Sequence, residues 1–455
     1  MSPMQIATLR NDMQGQVLEP GDRGYERARP LWNAMIDKRP ALIVQCASTT
    51  DIVAALGFAR SHGLEVAVRG GGHNVAGSGL CEGGAVLDLS PMRAVSVDAE
   101  RRTARAGGGA RWGDYDAATQ RHGLASTGGA VSTTGIAGLT LGGGFGWLSR
   151  SYGLACDELI GAEVVTAAGE VITASAAENS ELLWGLRGGG GNFGIVTSFE
   201  YRLHPVGELL AGLLLYPRAA AGEVFDLWAE LTARAPDALG SMAALLATPD
   251  ADPVAGVYAV WHGSPEEGAR LLEPLRSHRS ILLDDVGPKA YCAVQQAFDA
   301  AQPPGRRNYW KSHFLTEIDP RLVDALIAGA ATVPSATYLI AIEHLLGGAV
   351  ARVASEETAF GARDAEHNLL ISSAWDAADE DQANVGWARD LFAATRPFST
   401  GAAYVNYLNA EEPERIGEAY APEHYRRLVA LKDRFDPDNV FRHNQNVAPS
   451  ARAAG

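Results

Sequence analysis

The sequence predicts a two-domain α+β protein in which a second domain is inserted into the first. Three observations lead to this prediction. The chain has 455 residues, which exceeds the roughly 100–200 residues of one ordinary domain. Its 51 glycines concentrate at 70–79, 107–109, 128–146 and 188–194, and these clusters end near position 200. From about 206 to 400 the pattern changes to long apolar strands between amphipathic helices, as expected for a separate unit.

The first 200 residues alternate between predicted strands and helices. A strand is predicted in RPALIVQC, a helix with a Thr or Ser cap in TTDIVAALGFARSHG, and a second strand in LEVAVRGG. A further strand is predicted in AVLDLS. The alternation in SVDAERRTARAGGGA indicates two strands around a turn, and GAEVVTAAGEVITAS indicates a hairpin about Ala168-Gly169. Strands that alternate with helices are typical of an α/β unit.

The rest of the chain predicts the inserted domain and a return to the first one. Strands are expected in LLAGLLLYP and ATYLIAIEHLL, and a helix in GEVFDLWAELTARA. After position 400 the chain passes through AAYVNYLN into a charged helix that ends in YRRLVALKDRF, and DPDNVFRHNQNVAP terminates it. We therefore expect residues 1–205 and 400–455 to form one domain and residues 206–399 to form the other.

Composition limits the partners of the protein. Hydrophobic residues make up 47% and charged residues 20%, as in packed globular proteins. A formal net charge of −16 argues against nucleic acid or an anionic membrane as a partner. The four cysteines lie far apart without a CxxC pair, so neither a metal site nor a disulfide framework is expected.

The N-terminal residues contain no basic cluster followed by an apolar run, and no apolar stretch reaches the roughly 18 residues needed to span a bilayer. We therefore expect a cytoplasmic protein with small-molecule partners. The sequence leaves a homo-oligomer open.

The first glycine-rich segment follows a predicted strand and reads RGGGHNVAGSG from Arg69 to Gly79. Such a loop exposes backbone N–H groups, which can cradle a pyrophosphate without positive side chains. It therefore suits a dinucleotide in an acidic protein. The alternative is a tight strand-to-helix turn that carries a surface histidine.

Two later glycine-rich segments strengthen the cofactor interpretation. Small residues recur so densely in GGAVSTTGIAGLTLGGGFG, from 128 to 146, that the backbone is expected to approach a planar group closely. The third segment contains a GxGxxG pattern from Gly189 to Gly194. An NAD-binding fingerprint needs a strand before it and a helix after it. Here ELLWGLR predicts a helix before the glycines and IVTSFEYRL a strand after them, so we reject NAD.

Together these segments resemble the FAD-linked oxidases of the vanillyl-alcohol-oxidase superfamily, and most closely its berberine-bridge-enzyme-like branch. The resemblance covers nearly the whole chain. Its most specific parts are RGGGHN, GIAGLTLGGGFGWLSRSYGLACD, LRGGGGNFGIVT, YVNYL and YRRLVALKDRFDPDNVFRHNQNVAP. The length and this ending look especially like those of the bacterial 6-hydroxynicotine oxidases. The resemblance implies a two-domain, PCMH-type FAD-binding fold with an inserted substrate domain and a functional cleft between the domains.

The resemblance also implies FAD, with the histidine of the RxGGH motif, His73, joined to the 8α-methyl group of the flavin. Some members of the branch add a thioether link from a cysteine four residues before the glycine that matches Gly135. Val131 stands there, so one covalent bond is expected, and Cys156 is expected to be a packed thiol. The residues that the resemblance places around the FAD are Arg69, Gly70, Gly71, Gly72, His73, Asn74, Gly77, Ser78, Gly129, Ser132, Thr134, Gly135, Gly138, Gly142, Gly194, Val196, Asn406 and Asn444.

The catalytic candidates are Tyr407, Tyr404 and Glu343, and Tyr407 is the first candidate for a base. In the branch, the tyrosine directly after the asparagine of YVNY often has this role, and Tyr407 takes its place. The alternative is a pair of strands in which Tyr404 and Tyr407 stack in the core. Branch members often carry an aspartate two residues later, where this chain has Asn409, so the polar support of the tyrosine differs.

A tyrosine base at neutral pH implies a stabilised phenolate, because the unperturbed pKa of a phenol is about 10. We therefore expect the pKa of Tyr407 to be lowered by one of three groups. These are the flavin, a nearby cation such as Lys311 or an arginine, and a hydrogen bond from Asn406.

The predicted strand from 338 to 345 places Glu343 and His344 on opposite faces. In the bacterial 6-hydroxynicotine oxidases a comparable strand carries more charged residues near the substrate, of which only Glu343 remains here, so the specificity of this chain is expected to differ. Glu343 is a candidate catalytic partner for a substrate amine or hydroxyl, and an edge carboxylate that faces water is the alternative. Candidates for an aromatic pocket, with core packing as the alternative, are Trp261, His262, Tyr309, Trp310 and Lys311.

The expected reaction is removal of a hydride from a C–H next to an alcohol or amine onto flavin N5. Oxygen would then reoxidise the flavin and give hydrogen peroxide. Thr134, directly before Gly135, stands where branch members gate oxygen with side chains of different bulk, and threonine is close to valine in size. The alternatives are a dehydrogenase that uses a quinone or similar acceptor and a non-catalytic flavin- or ligand-binding protein. Tyr407 and the complete glycine loops argue against the latter. No motif identifies the substrate.

Overall fold

The computed structural model of the chain describes residues 2–249 and 251–453. It has a mixed helix and sheet architecture with three main sheets of four, five and eight strands and a small pair of strands. Within the described residues, no helix combines the length and the apolar character needed to cross a membrane.

The four-stranded sheet lies near the N-terminus and has the order β1-β2-β4-β3. Strands β2, β4 and β3 are parallel, and β1 is antiparallel to β2. Ser48 caps helix α3, and the carboxylate of Asp51 accepts backbone N–H groups from the segment before β1. The bounds are β1 Gln16–Leu18, β2 Leu42–Gln45, β3 Val66–Arg69, β4 Ala85–Asp88, α1 Pro3–Asp12, α2 Tyr25–Ala28 and α3 Thr49–Ser61.

The five-stranded sheet is antiparallel, with the order β5-β6-β10-β8-β9, and β7 pairs with β11 separately. The third glycine segment lies between helix α7 and strand β10, so the rejection of an NAD-binding fingerprint is confirmed. The bounds are β5 Val95–Asp98, β6 Thr103–Gly107, β7 Leu124–Ala125, β8 Leu159–Val165, β9 Val171–Ser175, β10 Ile195–Arg202, β11 His204–Pro205, α4 Trp112–Thr119, α5 Ile136–Leu141, α6 Ser149–Tyr152 and α7 Ser180–Leu186.

The eight-stranded sheet is antiparallel and has the order β15-β12-β14-β13-β18-β19-β17, with β16 also paired to β12. Helices α8, α11 and α13 cover one face and close a large apolar core against it. The bounds are β12 Leu209–Pro217, β13 Leu239–Thr248, β14 Ala251–Trp261, β15 Leu283–Asp284, β16 Gly287–Lys289, β17 Arg307–Leu315, β18 Thr337–His344, β19 His367–Trp375, α8 Ala221–Thr232, α9 Pro265–Arg276, α10 Tyr291–Gln295, α11 Pro320–Ala330, α12 Gly348–Arg352 and α13 Asp381–Thr395. All these strands fall between the domain boundaries expected at 206 and 399, which stay a prediction.

The C-terminal segment returns to the glycine loops. It contains a 3-10 turn at Val405–Tyr407, where one alternative expected a strand, followed by α14 Ile416–Ala419, α15 Pro422–Phe435 and α16 Ser450–Ala453. Lys432 on α15 is fully buried and pairs with Asp436 at 2.6 Å. Its ammonium group also donates to the carbonyls of Asn192, at 3.0 Å, and Phe441, at 2.9 Å. The tail is thereby fixed to the third glycine segment.

Candidate active site

One continuous cavity lies between the glycine-rich loops, the C-terminal segment and the open face of the eight-stranded sheet. All three glycine segments contribute to its wall. The residues expected around FAD that line it are Arg69, Gly70, Gly71, Gly72, His73, Asn74, Ser78, Gly129, Thr134, Gly135, Gly138, Gly194, Val196, Asn406 and Asn444. The expected catalytic residues Tyr404, Tyr407 and Glu343 line the same cavity.

Three residues expected at the cofactor do not line this cavity. Gly77 adopts φ of +74°, and a Cβ there would meet the side chain of Ile36 at 2.6 Å, so the residue serves a tight turn. The Ser132 hydroxyl donates to Asp299 at 2.5 Å. A Cβ on Gly142 would overlap the amide of Asn406, so this glycine lets the C-terminal segment approach. These three residues do not face the cavity, but their contacts hold the segments that form its wall.

The first two glycine segments touch backbone to backbone. A Cβ on Gly71 would overlap the backbone of Gly135, and a Cβ on Gly135 would overlap the backbone of Gly71. Neither glycine has a positive φ, so the close approach itself requires the absence of a side chain. This contact holds the RGGGH loop and the start of helix α5 together at the cavity wall.

Arg69 begins the RGGGH loop but does not offer a free charge. Its guanidinium pairs with Asp88 on β4 at 2.8 Å, and both side chains are buried. The pair fixes the end of β3, from which the loop departs. The loop therefore presents its backbone N–H groups rather than a cationic side chain.

His73 stacks on Trp32 with ring centroids 4.8 Å apart, and its Nε2 lies 3.1 Å from the hydroxyl of Thr133. Burial, together with the nearby charge of Arg111, lowers the pKa of His73 to about 4. The imidazole is therefore neutral at physiological pH. Its Nδ1 has no hydrogen-bond partner among the described residues, and it carries a lone pair in the tautomer whose Nε2–H donates to Thr133.

Tyr404 and Tyr407 differ in their hydrogen bonds. The Tyr404 hydroxyl accepts the backbone N–H of Gly144 at 3.1 Å and the side-chain amide of Asn406 at 2.9 Å. Within the described part of the chain, the Tyr407 hydroxyl has no such partner, and its ring packs edge-on against Trp310 at 5.4 Å. The hydrogen bond from Asn406 that was considered for Tyr407 is therefore made to Tyr404.

The expectation that the protein lowers the pKa of Tyr407 is wrong for the protein groups that were named. Burial raises the pKa of Tyr407 well above 10, and the charge of Glu343 adds to this effect. Lys311 pairs with Glu412 at 2.8 Å. Asn409 donates to the Trp310 carbonyl at 2.5 Å, so it does not support the tyrosine either.

Glu343 lies inside the sheet rather than at its edge, because β18 is flanked by β13 and β19. The alternative of an edge carboxylate facing water is therefore wrong. Its side chain is 8% exposed and accepts a hydrogen bond from Asn368 at 2.7 Å. Burial raises the pKa of Glu343 to about 7. His344 points to the opposite face, as expected, and contacts His367.

Of the candidate aromatic pocket residues, Trp310 lines the cavity. Its neighbours in the strand, Tyr309 and Lys311, contact Glu411 and Glu412 instead. The remaining two are also placed elsewhere: Trp261 packs in the core of the eight-stranded sheet, and His262 contacts Tyr152.

Several cavity residues had not been expected from the sequence. They are mostly aromatic or aliphatic and come from six separate segments: Trp32, Phe145, Trp147, Met242, Phe298, Gln302, Leu339, Leu345 and Leu370. Phe145 and Trp147 lie in the glycine-rich stretch already singled out, so their proximity to it was the available signal. Leu339 and Leu345 lie on the same face of the predicted strand as Glu343, so the two-residue period was their signal, and the others had none.

The position at which some members of the branch carry a flavin-linking cysteine lies at the cavity wall. Val131 and Thr134 both line the cavity, so the place of the linking cysteine faces it and is taken by an aliphatic side chain. Cys156 is fully buried in a core cluster, and its thiol lies 3.6 Å from Asp157. Cys156 is thus a packed thiol.

Comparison with known proteins agrees with this site. The family described as "FAD binding domain" matches residues 40–175, and the family described as "Berberine and berberine like" matches residues 403–448. The (R)-6-hydroxynicotine oxidase of Paenarthrobacter nicotinovorans is 33% identical over 458 residues, which cover 96% of this chain and 97% of the relative. The chain belongs to the berberine-bridge-enzyme-like FAD-linked oxidoreductases.

Solved structures of the berberine-bridge-enzyme-like family have the same fold. The 6-hydroxy-D-nicotine oxidase from Arthrobacter nicotinovorans matches with a TM-score of 0.88 at 31% identity, over 96% of this chain and 98% of that one. A glucooligosaccharide oxidase from Acremonium strictum, whose FAD is described as 6-S-cysteinyl and 8α-N1-histidyl, has a TM-score of 0.87 at 22% identity, over 98% of this chain and 99% of that one. The latter likeness shows the fold alone.

The residues of this berberine-bridge-enzyme-like protein fit FAD. The glycine backbones meet where a flat cofactor needs close approach, and the first loop offers N–H groups to a pyrophosphate. Asn444 lines the cavity, and its amide oxygen is buried without a partner among the described residues. A buried acceptor of this kind fits a ligand that brings a hydrogen-bond donor.

Proposed function

We propose that this FAD-linked oxidoreductase removes a hydride from a C–H next to an alcohol or amine of a small molecule. In this proposal the FAD is joined to His73, and oxygen is the final acceptor and gives hydrogen peroxide. The observation that carries the proposal is the shared cavity, whose wall contains His73 of the cofactor loop together with Tyr404, Tyr407 and Glu343.

The state of His73 supports a covalent link. A neutral imidazole with a free nitrogen lone pair is the form that can bond to the 8α-carbon of a flavin. Thr133 engages Nε2, which leaves Nδ1 for the link, and Trp32 holds the ring plane by stacking. Val131 at the other linking position supports a single bond.

When bound, FAD supplies the two-electron acceptor of the reaction. The protein residues would position the substrate and accept its proton. Glu343 has a pKa near neutrality and lies in a part of the cavity with few polar groups, which favours a role as general base. The Tyr404 hydroxyl, held by two donors, would fix the Asn406 amide against the second glycine segment, where Asn406 also donates to the Leu139 carbonyl at 3.0 Å.

Oxygen as acceptor is supported by the small side chains next to the cofactor loops. Thr134 and Val131 are both of moderate size at the positions that face the cavity. The alternative electron acceptor is a quinone or similar carrier, and no described feature of this cavity supports it. Cytoplasmic residence, like the domain boundaries, stays a prediction.

Anaerobic mixing tests the proposal. Purified holoenzyme would be mixed with a panel of alcohols and amines without oxygen, and the visible flavin absorption would be followed. We expect bleaching with at least one class of compound, and the return of the colour with formation of one equivalent of hydrogen peroxide when oxygen is admitted. Absence of bleaching across both classes contradicts the hydride-removal proposal, and bleaching without peroxide on aeration contradicts the oxidase.

A further inference from the structure

A second pocket adjoins the RGGGH loop, and we call it the outer pocket because exposed residues line part of it. Seven residues line both the outer pocket and the cavity, so they form a wall between the two. His73 belongs to this wall. Its Nε2 lies 3.1 Å from the hydroxyl of Thr133, which lines the outer pocket but not the cavity. The Nε2 edge of His73 therefore lies toward the outer pocket.

The outer pocket carries an excess of positive charge, although the formal net charge of the chain is −16. The charged side chains that line it are those of three arginines and one aspartate. Arg69 and Asp88 neutralise each other in their buried pair. His73 is neutral because its pKa is lowered. The guanidinium groups of Arg27 and Arg111 are therefore the two charges that remain uncompensated.

Arg27 and Arg111 have no ion-pair or hydrogen-bond partner for their side chains within residues 2–249 and 251–453. The nearest acidic residues in the sequence, Glu26 and Asp114, bind other arginines, at 3.1 Å and 2.5 Å. Two unpaired cations that line one pocket repel each other, and an anion bound between them would turn this repulsion into attraction. The guanidinium group also has the geometry to bind two oxygens of one anion at once.

The rest of the outer pocket combines a further hydrogen-bond donor with apolar side chains. The backbone N–H of Ser90 donates to Asp88 at 3.0 Å, and the Ser90 hydroxyl has no partner in the described part of the chain, so it can donate to a ligand. Apolar surface comes from Leu31, Trp32 and Pro304. These groups fit an oxyanion, and they leave room for a small apolar body attached to it.

We propose that the outer pocket binds a phosphate group, either free or carried by a small organic molecule, through Arg27 and Arg111. A phosphate monoester carries nearly two negative charges at neutral pH, which matches the two unpaired guanidinium groups. Hydrogen bonds between arginine and phosphate are among the strong, charge-assisted ones. The outer pocket and the cavity lie on either side of a common wall, so the phosphate group and FAD would bind together. This site would exist whatever substrate the enzyme oxidises.

Three aromatic probes of similar size test the role of charge. Phenyl phosphate is a dianion at neutral pH, benzenesulfonate is a monoanion, and methyl phenyl sulfone is neutral. Each would be titrated into holoenzyme at low ionic strength, with the heat of binding as the signal. We expect phenyl phosphate to bind about tenfold more tightly than benzenesulfonate, and the sulfone to show no measurable binding. Equal dissociation constants for phenyl phosphate and the sulfone would overturn the proposal.

The use of FAD-loaded protein distinguishes the outer pocket from the cofactor site, because the pyrophosphate of FAD already occupies the latter. Failure of phenyl phosphate to bind the holoenzyme therefore overturns the proposal. Inorganic phosphate identifies the source of the group. If it binds as tightly as phenyl phosphate, the ligand is free phosphate. If phenyl phosphate binds about tenfold more tightly, the ligand is an organic phosphate whose body contacts the apolar side chains of the pocket.

The pH dependence tests whether the dianion is the form that binds. The second pKa of a phosphate monoester is about 6, so binding of phenyl phosphate should tighten as the pH rises from 5 to 7. Benzenesulfonate stays a monoanion over this range, and its affinity reports any titration of the protein itself. A ratio of the two dissociation constants that stays flat from pH 5 to 7 would overturn the match between two charges and two arginines.

Arg27→Gln and Arg111→Gln assign the binding to the outer pocket. Each variant should weaken the binding of phenyl phosphate about fivefold or more, because it removes one of the two charges. Both side chains are exposed, so we expect wild-type thermal stability. Arg121→Gln is the matched control, because it removes the charge of an exposed arginine that does not line the pocket, and it should keep the wild-type affinity. Wild-type affinity in the double variant of Arg27 and Arg111 would overturn the proposal.

Discussion

Tyr404 and Tyr407, which are three residues apart in the sequence, have different roles. Both tyrosines line the cavity, but Tyr404 uses its hydroxyl to accept two hydrogen bonds, from Gly144 and Asn406, whereas the Tyr407 hydroxyl has no partner among the described residues. The spacing explains their proximity, because residues i and i+3 of a 3-10 turn lie on the same side. Tyr404 therefore organises the wall, and Tyr407 is free to contact a substrate.

This difference gives opposite signatures for two conservative variants. Tyr407→Phe should slow anaerobic flavin reduction by about 10²–10⁴-fold if the hydroxyl takes part in proton transfer, with little change in thermal stability. Tyr404→Phe leaves two donors unpaired and should cost about 1–3 kcal/mol of stability. Stopped-flow reduction and thermal unfolding of both variants measure this, and equal effects on both quantities would contradict the division.

The pH profile of flavin reduction should follow Glu343 rather than Tyr407. Since the pKa of Glu343 is about 7 and a base works when deprotonated, the rate should rise with pH through about 7. The inflection should persist in Tyr407→Phe, because burial keeps the pKa of that phenol well above 10. It should disappear in Glu343→Gln. An inflection that vanishes in the Phe variant would return the titration to the tyrosine.

His73→Ala should bind FAD reversibly. Acid precipitation of the wild type should leave the yellow colour with the protein, whereas the variant should release its flavin into the supernatant. Substrate oxidation by the variant should be slower, because the histidyl link makes a flavin more oxidising. Cys156→Ser is the control and should keep the flavin attached, since that thiol is fully buried and Cys156 does not line the cavity. Release of all FAD from wild-type protein would refute the link.

Thr134→Leu tests the access of oxygen. The side chain lines the cavity, so a larger one there should slow reoxidation of the flavin while leaving its reduction by substrate unchanged. Stopped-flow measurement of each half-reaction separates the two steps. Reoxidation at the same rate in both proteins would remove the gating role of this position.

Among the larger elements, helix α15 and the third glycine segment depend on one buried ion pair. Lys432→Met removes a fully buried charge and leaves Asp436 without its partner, which should cost about 3–5 kcal/mol. Lys289→Met breaks a more exposed pair with Asp285 and should cost less than about 1 kcal/mol. Urea unfolding of the holoenzymes compares them, and similar losses in both variants would contradict the role of the buried pair.

The elements of the first 200 residues could be predicted from the sequence because their signals are local. The cap at Ser48 and the helix before Gly189 are visible in short stretches of sequence. The face of Glu343 followed from the two-residue period of a strand. Its burial did not follow. Whether β18 lies inside the sheet depends on its pairing with β19 on one side and, on the other side, with β13, which lies about 100 residues earlier in the sequence.

The aromatic residues of the cavity wall could not be predicted from the sequence, for a related reason. Trp112 and Trp147 are both buried, yet Trp147 lines the cavity and Trp112 packs in a core cluster. Nothing in the local pattern distinguishes a tryptophan that faces a cavity from one that faces other side chains. The hydrogen bonds of Tyr404 were missed because they depend on a 3-10 turn where a strand was one expectation.

At the scale of the whole molecule, Asp116 and Gln295 join helix α4 to helix α10, although 179 residues separate the two side chains in the sequence. Gln295 donates to Asp116 at 3.2 Å and to the carbonyl of Gly129 at 3.0 Å, directly behind the second glycine segment. Burial raises the pKa of Asp116 to about 8. The carboxyl group is thus protonated in the folded protein at pH values where an unfolded aspartate is ionised.

Stability should therefore depend on pH through this group. The folded form binds the proton more tightly than the unfolded form, whose pKa is about 4, so the contribution is complete below pH 4 and is lost as the pH rises through about 8. Asp116→Asn should flatten the fall in unfolding free energy between pH 5 and 8, by up to about 1.4 kcal/mol per pH unit. Asp226→Asn, on an exposed position of α8, should leave the wild-type slope unchanged.

The wall of the cavity has a consequence for biosynthesis. Its residues run from Leu31 to Gln445, and the C-terminal segment that contains Tyr404, Asn406 and Asn444 closes it. A nascent chain folds from its N-terminus as it leaves the ribosome, so it can form its early sheets long before the segment around Asn444 has been synthesised. The cavity wall that the glycine loops begin is completed only when that segment has been synthesised. We therefore expect the cofactor to be loaded after translation, so ribosome-bound chains stalled before residue 403 should capture no FAD.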